Sequence, residues 1–186
     1  MALSKVDVAN MLTGATPVAN GGTALTSGFL NGIGGAQQFR LNTTFTGDAD
    51  PISSNVEAVD TDTQGVIGSA MTVSSGIFTF PSTGIWLIEF TAQFHYNGNS
   101  RTNQLVINTT VNNSDYSPAG KNNAGIAQSE SSHTYNTGST SFIFDVTNVT
   151  THKVKFSSTV NNDSASTAGE TDVNRTFFTF IRLGDT

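Results

Sequence analysis

Three histidines, His95, His133 and His152, are the side chains in this sequence best suited to acid-base or metal chemistry. No two of them stand in the H-x-x-x-H spacing that would place two ligands on one helix face, so the sequence assigns a metal to none. Two acidic steps, Asp48/Asp50 and Asp60/Asp62, carry oxygens of the kind Ca²⁺ takes on a loop, but they read first as solvated turns. Serine and threonine are abundant. A nucleophile, however, needs a base and an orienting group, and the G-x-S-x-G elbow is missing. Gly21-Gly22 and Gly34-Gly35 are not followed by Lys-Ser/Thr, so neither is a phosphate-cradling loop. The expectation is a protein that is not an enzyme, with no catalytic residue, no metal and no cofactor.

Composition narrows the partners. Net charge is −6 and the pI about 4.7, with no Lys/Arg cluster, so the electrostatic attraction behind phosphate-backbone binding is missing and nucleic acid is not expected. No apolar run approaches the roughly twenty residues that cross a bilayer, so no membrane partner is expected. The first residues, MALSKVDVANMLTG, lack the apolar stretch of a secretory signal; a protein of this kind found outside a cell would leave by lysis inside a particle. There is no cysteine and hence no disulfide framework.

What remains is β structure. Charged residues make up only 12 % while Gly, Thr, Asn and Ser abound, which favours strands and turns over helices. From Gly76 to Tyr96 a short strand, Ile77 to Phe80, is separated by the turn Pro81-Ser-Thr-Gly84 from a long one. In the long strand Trp86, Ile88, Phe90, Ala92 and Phe94 alternate with Leu87, Glu89, Thr91 and Gln93. Period two sends the first set to one face, which should meet a core. Further strands are expected at Phe39 to Phe45, Val56 to Val59, Val66 to Val73 and Gln104 to Val111. Thr140 to Val146 and His152 to Val160 are expected to pair. Asn97-Gly98 reads as a hairpin turn. Asn112 to Ser132 reads as a long exposed loop with one weak strand near Gly125 to Gln128. Trp86, Ile88, Phe90, Phe94, Phe142, Phe144 and Phe156 are the expected core. The last strand, Asn174 to Leu183, is apolar on both faces, with Phe177, Ile181 and Leu183 on one and Phe178 and Phe180 on the other, so it needs two covers.

The run Gly76-x-Phe78-x-Phe80-Pro81-x-x-Gly84-Ile85-Trp86-x-Ile88 resembles the G-x-F-x-(C/F)-P-x-x-G-x-Y-x-F pattern opening the central hairpin of the complement-type globular head. Trp86 replaces the usual Tyr, and Phe80 stands where Cys is common. The resemblance covers Gln38 to Leu183 and implies the jelly roll shared with the tumour necrosis factor superfamily: all-β, about ten antiparallel strands, subunits in threes around an axis. Under that resemblance Phe177, Phe178 and Phe180 would form the trimer interface.

Residues 1–37 are read as a separate Gly-rich, extended arm, and 38–186 as the head. Pro17-Val-Ala-Asn-Gly-Gly-Thr23 resembles segments common in fibre and appendage proteins of tailed bacteriophages. Together these imply a virion structural protein, a head fibre or capsid decoration exposed on the particle surface. Its arm residues Val6, Val8, Met11, Leu12, Pro17 and Val18 would hold the major capsid or another virion protein. The alternative is a tail-fibre or lectin-like module binding a host-surface glycan. Its loops would be Asn97 to Asn103, Asn112 to Ser132 and Asn161 to Asp172, with Tyr96, Tyr116 and Tyr135 as stacking platforms.

Overall fold

The computed structural model describes residues 32–186. The arm residues Val6, Val8, Met11, Leu12, Pro17 and Val18 lie outside that range. Among the described residues all regular structure is extended: β1 (Gly35–Leu41), β2 (Phe45–Thr46), β3 (Val56–Ala58), β4 (Thr72–Ser74), β5 (Ile77–Thr79), β6 (Gly84–Tyr96), β7 (Ser100–Thr110), β8 (Ser117–Ile126), β9 (Thr134–Val146), β10 (Lys153–Thr159), β11 (Ser166–Thr167) and β12 (Phe177–Gly184). They form a jelly roll of two antiparallel sheets. One has the order β2-β11-β6-β12-β1-β3 with β9 on the free side of β6, and the other runs β4-β5-β10-β7-β8.

Aromatic burial holds the sheets together. Trp86, Ile88, Phe90, Ala92 and Phe94 of β6 all point inward and are buried, as are Phe144 of β9 and Phe156 of β10; Phe142 is partly buried against the same core. The centre is a knot of rings. Phe156 and Phe178 have centroids 4.4 Å apart, Phe90 and Phe178 stack at 5.1 Å, and Phe78 meets Phe39 edge-on at 5.2 Å. Offset and edge-to-face contacts of this kind add to what burial alone contributes.

Several connections depart from the local reading, for one common reason. β5 pairs with β4 and β10, whereas β6 pairs with β9, β11 and β12, so Pro81-Ser-Thr-Gly84 carries the chain between sheets and does not close a hairpin. Asn97-Gly98-Asn99 likewise leads from β6 in one sheet to β7 in the other. β9 and β10, expected to pair, also lie in different sheets. At these connections the chain crosses to the other sheet, because stacking two sheets buries more apolar surface than isolated hairpins can. Two hairpins are real: β4/β5 and β7/β8. The second contains β8, a ten-residue strand through nearly half of the stretch expected to be loop. β8 reads as loop because its outward residues are Ser, Lys and Asn, and only Ala124 and Ile126 face inward as large or small apolar groups. The first strand begins at Gly35, so residues 35–37, read as arm, are paired with Phe180 to Arg182 in the sheet. It also stops at Leu41, leaving Phe45 to the separate two-residue β2, and only Thr72 and Val73 of the Val66 to Val73 stretch are strand, within β4.

Both motif glycines have a backbone reason. Ser75 and Gly76 link β4 to β5 with φ of 48° and 77°, the double positive φ of a type I′ turn, and a Cβ on Gly76 would lie 2.5 Å from the Ile52 carbonyl oxygen. Gly84 has φ of 140° and would place a Cβ 2.5 Å from the Gly184 carbonyl oxygen. Gly76→Ala is therefore expected to lower stability by at least about 2 kcal/mol in urea unfolding, more than loss of glycine's chain entropy alone could offset.

Candidate functional site

The last strand settles which of its residues can meet a partner. Phe178 and Phe180 are fully buried inside the single chain, paired opposite Phe90 and Ile88, and so cannot present surface to another subunit. This corrects their assignment to a trimer interface: strand alternation turns them into the sandwich, where the opposite sheet already covers them. Phe177 faces the other way and is half-buried beside Thr91 and Arg40.

That outward face of the larger sheet is the candidate site. In an antiparallel sheet directly paired residues share a face, so the registers define rows across it. The row nearest the start of β1 is Ile143, Leu87, Ile181 and Ala36, extended by Ile67 through its bridge to Ala36. Ile143 is 59 % exposed and Ile67 50 %, and Leu183 is similarly open. The next row is polar, Ser141, Glu89, Thr179 and Gln38, tied by Gln38 Nε2 donating to Thr179 Oγ1 at 3.0 Å. At the far end stand Tyr135 and His95, with His133 beside them.

One corner of the face is clamped. Arg40 is 1 % exposed and donates from Nε to Glu57 (2.7 Å) and from Nη2 to Asp60 (2.8 Å), with Nη1 on Thr61 Oγ1. Asp60 thus serves an ion pair. In the other acidic step, Asp48 accepts from the Val160 amide and Asp50 from Lys155 and Ser157. Among the described residues, no three His, Cys, Asp or Glu side chains gather into a metal-holding group. The hydrogen bond from Asn42, followed by Arg40, holds the Glu57 carboxyl below its ordinary value of 4.5, and bonds from Lys155 and Ser157 do the same for Asp50 below 3.8. A depressed folded-state pKa contributes stability above the unfolded value that is lost as pH falls through the folded one. Urea midpoints are therefore expected to drop as pH falls below about 4.5, and Glu57→Gln to flatten part of that drop while lowering the plateau above it.

The other sequence candidates separate. His152 is a packing residue: its ring stacks on Phe144 at 5.6 Å and its nitrogens reach Thr147 and Thr151 hydroxyls. Tyr116 lies under Lys155 Nζ at 5.1 Å, away from Tyr135, which is 53 % exposed, while Tyr96 packs against the core. The three tyrosines do not form one platform. The loops around Asn97, Gln128 and Asn161 do meet, through Asn97 to Gln128 (2.6 Å), Asn99 to Gln128 (2.8 Å) and Arg101 to Asn161 (3.3 Å). They form the end of the sandwich opposite the start of β1. An open cleft there, about 450 Å³, is lined by Asn99, Arg101, Gly125, Ile126 and Ala127. The meeting of His95 and His133, separated by thirty-eight positions in the sequence, was not visible in any spacing; only the β6/β9 register supplies it.

This topology, with the first described strand beside the last in the same sheet and the chain crossing repeatedly between the two sheets, is a jelly roll like that of tumour necrosis factor-like proteins. Eiger TNF from S. frugiperda superposes with a TM-score of 0.55 at 16 % identity, over 81 % of this chain and 93 % of that one. Murine APRIL at pH 5.0 gives 0.53 at 11 % identity, over 80 % and 98 %, and at pH 8.5 gives 0.52 at 12 % identity over the same shares. The likeness is one of fold. No family model matches the chain, and no curated protein does.

Proposed function

We propose that the protein is a non-enzymatic virion structural protein of a tailed bacteriophage, a homotrimeric head fibre or capsid decoration. The observation carrying this reading is the partly exposed apolar row Ile143, Leu87, Ile181, Ala36 and Ile67, open at Ile143 and Ile67, on a sheet whose other face is already packed. A second copy of the chain is the fitting cover, since association removes that surface from water, and the resemblance implies subunits in threes. Phe177, on the same outward side, joins the interface in place of Phe178 and Phe180.

The phage setting rests on the Pro17 to Thr23 segment and on a cysteine-free head. An attached head is consistent with the fold: β1 starts at one end of the sandwich, and the loops at Asn97, Gln128 and Asn161 crown the other, the end that would face solvent or host. The part of the arm ahead of β1, residues 1–34, holds the major capsid or another virion protein. Electron microscopy of particles lacking the protein tests this: loss of capsid protrusions is expected, and an unchanged head with lost adsorption would move the protein to the tail.

The glycan-binding reading is favoured by one feature, the cleft at Asn99 and Arg101 within the loop crown. A glycan array without hits removes it.

A further inference from the structure

We propose that His95 and His133 together bind a divalent transition-metal ion of the zinc type on the outward face of the larger sheet. β6 and β9 set His95 directly opposite Tyr135, which brings in His133 just before the start of β9. The two imidazole centroids are 5.3 Å apart with planes at 62°. Two imidazoles sharing one tetrahedral ion at metal-nitrogen distances of about 2.0–2.1 Å hold their ring centres about 5 Å apart, with the planes free to tilt. The observed spacing meets that requirement without moving the backbone.

His95 Nδ1 is buried and has no hydrogen-bond partner, a state that costs free energy until a donor or a cation satisfies the lone pair or a carbonyl takes the proton. A neutral imidazole is the form that ligates. The groups around it are few. Tyr135 lies against the ring at 5.1 Å and Ser166 pairs with His95 from β11. Arg175 is engaged by Glu170 and by Gln93 Oε1. His133 is exposed, so its ring can swing to meet an ion, and the remaining positions are open to water or to a donor from a neighbouring copy. Two imidazoles without a carboxylate favour Zn²⁺, Ni²⁺ or Cu²⁺ over Mg²⁺ and Ca²⁺. The site stands on one chain and does not depend on self-association.

The test is calorimetric titration of the untagged full chain with Zn²⁺ alone and with Mg²⁺ alone, near pH 7.5, well above the ordinary imidazole pKa. Saturable Zn²⁺ binding is expected, weakened more than about tenfold in H133A and in H95A and lost near pH 5.5. Because His133 is exposed, H133A keeps the fold, which circular dichroism verifies. No saturable Zn²⁺ binding by the wild-type chain, undiminished binding by H133A, or equal binding of Mg²⁺ would each overturn the proposal.

Discussion

Phe178→Ala is expected to cost about 3–5 kcal/mol of folding stability, the range for emptying a fully buried aromatic site. Phe178 is 0 % exposed and touches rings from both sheets: Phe156 at 4.4 Å, Phe90 at 5.1 Å and Phe78 at 5.7 Å. The void cannot be refilled by one neighbour, because these three rings are fixed on three different strands whose hydrogen bonds resist collapse. For a domain of this size the melting temperature should fall by roughly 10 °C, read by thermal circular dichroism. Phe177→Ala, one position away on the half-buried outward face, should cost well under half as much. Equal losses at the two positions would mean that the alternation assigned to β12 is wrong.

Ile143→Glu is expected to leave the fold intact and dissociate the assembly. Ile143 is 59 % exposed in the single chain, so its replacement removes little that holds the subunit together. In the assembled face it lies in the apolar row beside Leu87, and a carboxylate there must give up water without a partner. Apolar interface residues of this kind can account for about 2 kcal/mol or more per copy, so association should weaken more than about a hundredfold. The variant should sediment as a monomer with an unchanged circular dichroism spectrum. A variant that keeps the wild-type mass would show that the row is not the contact surface.

Much of the jelly roll was legible because its carrier is the simplest signal a chain offers. The alternation from Trp86 to Phe94 gave both strand and inward face, and the aromatic content of Phe142, Phe144 and Phe156 gave the core. The failures share a cause. Asn97-Gly98 and Pro81 to Gly84 have the composition of hairpin turns, but in a jelly roll such loops lead between sheets, and which strand a strand pairs with is decided by burial across the sandwich. β8 escaped because a strand with one exposed face of Ser, Lys and Asn looks like a loop. Phe178 and Phe180 were assigned to a surface because two apolar faces on one strand show that two covers exist, not which face another subunit supplies. The paired histidines could not be seen at all, since their proximity belongs to the β6/β9 register.

The central claim, association in threes through the outward face of the larger sheet, is tested most directly by sedimentation equilibrium of the untagged full-length chain at micromolar concentration. The expected result is a single species of three times 19.5 kDa that I143E reduces to one. A wild-type mass of 19.5 kDa under those conditions would contradict it.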